Sequence, residues 1–203
     1  VKIINPNDYG PAFALLLQEE RNNELGPGTP NERARPALDA LTAERAFEGR
    51  RIADQDMANA SLSGIWLYHN YLGESHQISQ KIETPTGCFW HGIMHRRELD
   101  YSNSKYWFRR VGAHPVFEDL RTAAAKLASE LGTDKPAAYL KDQIVWDAFA
   151  FGDLCEDVLR GVAKDEALCR EIQQREWELL FDYSYRRALG ARQGLGARQA
   201  LGA

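Results

Sequence analysis

The stretch TPTGCFWHGIMHRREL, Thr84–Leu99, decides how the rest of the chain is read. Thr84 followed by Pro85 has the form of a helix N-cap and a first-turn proline. The hydroxyl can satisfy an orphan N–H, and proline has none to satisfy. Wound at about 100° per residue, Cys88, His91, His95 and Glu98 stand at i, i+3, i+7 and i+10 within an arc of about 80°. Met94 and Leu99 flank that stripe. Phe89, Trp90 and Ile93 fill much of the other side, interrupted by Arg96 and Arg97. A helix that is apolar nearly all round belongs in the middle of a bundle. Its polar stripe must then find partners, because an unpaired buried polar group costs about 1–3 kcal/mol.

Working outward, the same 3.6-residue period recurs, and no segment shows the alternating β-branched pattern of a strand. A first helix follows the Asn7/Asp8 cap signals, with Phe13, Leu16 and Leu17 on one face, and stops at the breaker run Leu25–Pro30. Pro36 starts a second, through about Phe47. The third runs from about Ile52 to Leu72, burying Ala58, Leu62, Ile65, Trp66, His69 and Leu72, and Gly73 ends it. GESHQISQKIE is a short helix or turn. Beyond the opening stretch, Asp100–Ser104 reads as a turn and a helix start capped by Ser102 or Asn103. Val116–Leu131 is a helix stopped by Gly132, and two more cover about 137–159 and 164–188. The expected architecture is all-α, a single-domain bundle of about seven to nine helices over residues 1–187. A Gly/Ala/Arg/Gln near-repeat tail follows at 188–203.

The 203 residues suit one domain, and a hydrophobic fraction of 44% with 10% aromatics is enough for a core. A net charge of −4 argues against a protein that coats nucleic acid. Cys88, Cys155 and Cys169 are odd in number and lack a CxxC pair, which reads as free thiols in a reducing compartment. With no signal-peptide pattern and no membrane-length apolar run, a cytoplasmic protein is expected.

The chemistry-bearing residues gather in and beside the opening stretch. His91 and His95, at i and i+4, can hold one divalent metal, and Glu98 can bind it or orient a water. Without a metal, His91, His95 and Glu98 form a general acid/base group. His69 also points inward from the third helix, so three imidazoles can converge. His76 follows His69 by seven residues and would share its face only if the helix ran on through Gly73. The next helix carries Lys105, Trp107, Arg109 and Arg110, a basic and aromatic strip suited to a carboxylate or phosphate. Such a strip also suits single-stranded nucleic acid, against which the acidic chain as a whole counts. Asp153, Glu156 and Asp157 form an exposed acidic face. There is no phosphate loop, GxSxG elbow or HExxH box.

The segment from about Ala58 to Leu120, with its runs ESHQISQ, TGCFWHGIMHRRE, SNSKYWFRRVG and HPVF, resembles a family of uncharacterised bacterial and fungal proteins with similar HGIMHRRE and KYWFRR runs. That resemblance implies a shared domain and no particular reaction. HGIMHRRE is also similar to the HxxxHR signature of DinB-like metal-binding helical bundles. Carried over, this implies His69, His91 and His95 as ligands of a divalent metal. Three functions follow as expectations. The first is a small-molecule site for an anionic ligand, or a metal site, inside the bundle. The second is a non-enzymatic helical interaction module with a polar core, and the least favoured is single-stranded nucleic-acid binding.

Overall fold

In the computed structural model, which describes residues 4–191, a 3-10 turn at Pro6–Tyr9 leads into α1 (Pro11–Leu17), α2 (Arg35–Asp39) and α3 (Ala43–Ala46). Then come α4 (Gln55–Tyr68), α5 (Leu72–Ser79), α6 (Pro85–Arg97), α7 (Tyr101–Val111) and α8 (Val116–Leu131). A second 3-10 segment, Lys135–Lys141, precedes α9 (Ala148–Leu159) and α10 (Glu166–Ala188). No strand occurs among the described residues, so the chain is an all-α single-domain bundle. No helix there is long and apolar enough to cross a membrane. From residue 192 on, the tail lies outside the described residues.

Several boundaries differ from expectation. The helix expected over Pro36–Phe47 is two short ones, because Thr42 recaps the chain by accepting from the Arg45 N–H. The stretch 137–159 is likewise broken, and Asp147 caps α9 by accepting from the Phe149 and Ala150 N–H groups. Thr84 caps α6 as expected, accepting from Gly87 N–H at 3.2 Å. The cap of α7 is Asp100, whose carboxylate reaches Asn103 N–H, in place of Ser102 or Asn103. A carboxylate at the N-cap also meets the positive end of the helix dipole, which favours it over the neutral alternatives.

The most informative difference is the end of α4. The helix stops at Tyr68, and Asn70 takes the left-handed conformation at φ 64°. An Asn tolerates that region because its short side chain can bond locally. Here its Nδ2 donates to Thr29 O at 2.9 Å, and its Oδ1 accepts from Arg97 Nη2 at 2.7 Å. The chain therefore turns three residues before Gly73, which sits inside α5. α5 has its own direction, and His76 leaves the face that His69 occupies.

α6 packs against α4, α5 and α7, while α10 packs against α4, α8 and α9. Along α6 every residue from Thr86 to Arg97 is buried. Trp90 is fully enclosed, its Nε1–H donating to Ser184 Oγ on α10 at 3.1 Å. It fits only because α4 offers Gly64 there, where a Cβ would stand 2.7 Å from the indole. On the far side, Tyr9, Phe13, Phe47, Phe181 and Tyr185 form an aromatic cluster. Cys88, Cys155 and Cys169 are all free and buried.

Candidate metal centre

α6 and α7 run antiparallel, so their facing stripes pair residue by residue. The polar stripe of α6 meets Arg110 beside Cys88, Trp107 against His91, and Asn103 over His95. Trp107 stacks on His91 at 3.9 Å with the planes 20° apart, which fixes that imidazole's rotation. From the third side α5 contributes His76, edge-on to both rings at 4.8 and 5.2 Å between centroids. The ligand nitrogens of His76, His91 and His95 all lie within 4.8 Å of one another. His91 and His95 are 2% and 5% exposed, and His76 is half-buried.

Their protons can be assigned from the partners. Glu98 Oε2 lies 3.2 Å from His95 Nδ1, and a carboxylate can only accept, so that nitrogen carries the hydrogen. Burial first, and His76 second, lower the His95 pKa against the opposing effect of Glu98, so the ring is neutral and the contact is a hydrogen bond. His95 Nε2 is then a bare lone pair. It faces His91 Nε2 at 2.9 Å. His91 is held uncharged by burial, then by its two imidazole neighbours, which push its pKa down to about 3. Without a cation, one hydrogen between the two Nε2 atoms must hold this contact. That leaves His91 Nδ1 buried with no hydrogen-bond partner.

His69, expected to join the pair, does not. Its Nδ1 accepts from Asn31 Nδ2 at 3.1 Å and its Nε2–H donates to Leu16 O at 3.0 Å. Both nitrogens are satisfied, and burial lowers its pKa to about 4. The left-handed turn at Asn70 exchanged His69 for His76, and no periodicity argument places a residue across such a turn. Glu98 reaches the edge of the cluster as an orienting group on His95 Nδ1. Cys88 lies a turn away on α6, its thiol 3.9 Å from Glu83 O, outside the imidazole group.

Most of the basic residues have other partners. Lys105 pairs with Asp153, while Arg110 lies over Trp107 at 5.2 Å and Arg109 is exposed. Arg96 is fully buried in an ion pair with Glu176, over the ring of Phe151 at 4.8 Å. Arg97 donates to Gly26 O, Pro27 O and Asn70 Oδ1, clamping the loop after α1. Two grooves of about 520 and 410 Å³ lie elsewhere, one beside His114, Phe117 and Trp146, the other between α4 and α5. Neither is lined by His91, His95 or Glu98.

Among the described residues, His76, His91 and His95 thus form a largely buried cluster that could hold a metal ion. No protein-family model matches the chain, and searches of curated proteins and of solved structures find no significant match to it.

Proposed function

We propose that the chain is a metal-binding helical protein whose His76, His91 and His95 hold one divalent transition ion. The observation that carries this is the 2.9 Å approach of two Nε2 atoms on neutral rings. A tetrahedral zinc bonded to both at about 2.0–2.1 Å sets its nitrogens about 3.3–3.4 Å apart, so the two rings need to part by only about half an ångström to admit it. A metal also resolves the proton conflict. It takes both lone pairs, and the hydrogen on His91 moves to Nδ1. Glu98 on His95 Nδ1 supplies the carboxylate–histidine–metal arrangement that orients a ligand and raises its basicity. His76 stands furthest off and, being half-buried, has room to swing inward. Three imidazole nitrogens suit zinc, cobalt, nickel or copper over magnesium or calcium, which prefer oxygen. Such a set leaves a coordination position open, as in Lewis-acid sites.

Equilibrium dialysis of tag-free protein against zinc tests the proposal. One ion per chain is expected, with His91→Ala and His95→Ala each weakening it by about a hundredfold or more. Failure to bind zinc stoichiometrically, or retention in both variants, would remove it.

A further inference from the structure

Three imidazoles are neutral ligands, so an ion held by them alone keeps its full double charge. Its inner ligands are 2% and 5% exposed, an environment in which an uncompensated charge is costly. Neither nearby carboxylate, Glu98 or Asp100, is among the groups whose ligand atoms converge with the three histidines, so neither supplies the balance by ligation. Glu98 Oε2 is on His95 Nδ1, the nitrogen on the far side of the ring from the cluster. Asp100 Oδ1 is occupied by Asn103 N–H and by the Ser102 hydroxyl, both at 3.0 Å. Charge balance therefore calls for an anion from outside the chain.

The groups around the open side say what that anion meets. Asn103 Nδ2 lies 3.1 Å from His95 Nε2 and 3.5 Å from His95 Nδ1. Near-equal distances to both ring nitrogens put the amide over the face of the imidazole, out of line with the Nε2 lone pair. A neutral amide donor thus stands beside the direction in which that lone pair points, without competing for it. Lys105, bound to Asp153, and Arg110, stacked over Trp107, do not take this place. The least buried residues beside the cluster are half-buried His76 and Asn103 and the 38% exposed Glu98 side chain, so solvent approaches from that side.

We infer that the position left open by the three histidines takes a small oxyanion, such as a carboxylate, with the Asn103 amide donating a hydrogen bond to it. This rests on the metal-binding proposal above. A hydrogen bond to a charged oxygen strengthens binding by about tenfold or more. The ligand is a small carboxylate or the carboxylate end of a larger molecule.

Cobalt(II)-loaded protein titrated with acetate and followed by its visible absorption provides the test. The expected result is a saturable shift of the cobalt bands. In Asn103→Ala, acetate should bind about tenfold more weakly, with cobalt affinity changed by less than about threefold. Asn103→Asp should tighten cobalt and abolish the acetate response, its own carboxylate replacing the anion. Cobalt bands that ignore acetate, or an Asn103→Ala protein that binds acetate as tightly as the parent, would overturn the inference while leaving the metal site standing. Absence of any bound cobalt in the parent protein would instead remove the metal site, and this inference with it.

Discussion

His95 divides its two nitrogens between two tasks: Nδ1–H is held by Glu98, and Nε2 faces His91. Removing the carboxylate frees the ring to rotate and to change tautomer. Glu98→Gln should therefore cost about 10–100-fold in zinc affinity with little loss of stability, since Glu98 is exposed. Cys88→Ser, one turn away on the same stripe, should leave zinc affinity unchanged. Measuring both by competition with a chromogenic chelator separates an orienting role from mere proximity. Histidines outside the cluster, like the two buried ones within it, act on stability. Burial lowers His69 and His114 to about 4 each. Both are neutral in the fold, yet they titrate near 6.5 once unfolded. The unfolded chain therefore binds more protons below pH 6.5, and stability falls as pH drops from about 6.5 towards 4. Each should contribute about 2–3 kcal/mol to that loss. His114 accepts from Val116 N–H and bonds Thr86, so His114→Gln should flatten the pH dependence of the urea midpoint. An unchanged slope in that variant would assign the acid sensitivity elsewhere.

α6 is held in place by the two residues that follow His95. Arg96 binds Glu176 on α10, and Arg97 binds the 26–28 loop and Asn70. Glu176→Gln would leave a buried guanidinium without its counter-charge, and should destabilise by about 3–5 kcal/mol in chemical denaturation. The double variant Arg96→Met/Glu176→Leu should recover much of that loss, because it removes both charges. These two arginines also show where the sequence is legible and where it is not. Their side of α6 was readable as an arc opposite the histidines, but not as buried, because their partners lie 80 residues downstream and in an irregular loop. Thr84, Pro85 and the Cys88–Glu98 stripe act within a single helix, where caps and periodicity are sufficient. The third histidine depended on Asn70, whose left-handed turn is stabilised by contacts from Thr29 and Arg97 that no local pattern encodes.

Across the whole molecule, the bundle places one imidazole from α5 and two from α6 under the cover of α7, away from both surface grooves. Buried α6, the Trp107 ring stacked on His91 and half-buried His76 bring the three imidazoles together, as the metal-binding proposal requires. The basic strip on α7, which suggested an anion or nucleic acid, is instead largely engaged by Asp153, Trp107 and Tyr106. In the metal-binding proposal, the charge of the ion would take over the role that the arginines were expected to play. The central claim is therefore about three nitrogens and one ion. Crystals of tag-free protein soaked in zinc, with anomalous data collected on both sides of the zinc edge, test it most directly. The account predicts one strong anomalous peak per chain, at about 2.0–2.1 Å from ring nitrogens of His76, His91 and His95. A zinc-soaked crystal with no peak there, or with its peak at His69, would contradict it.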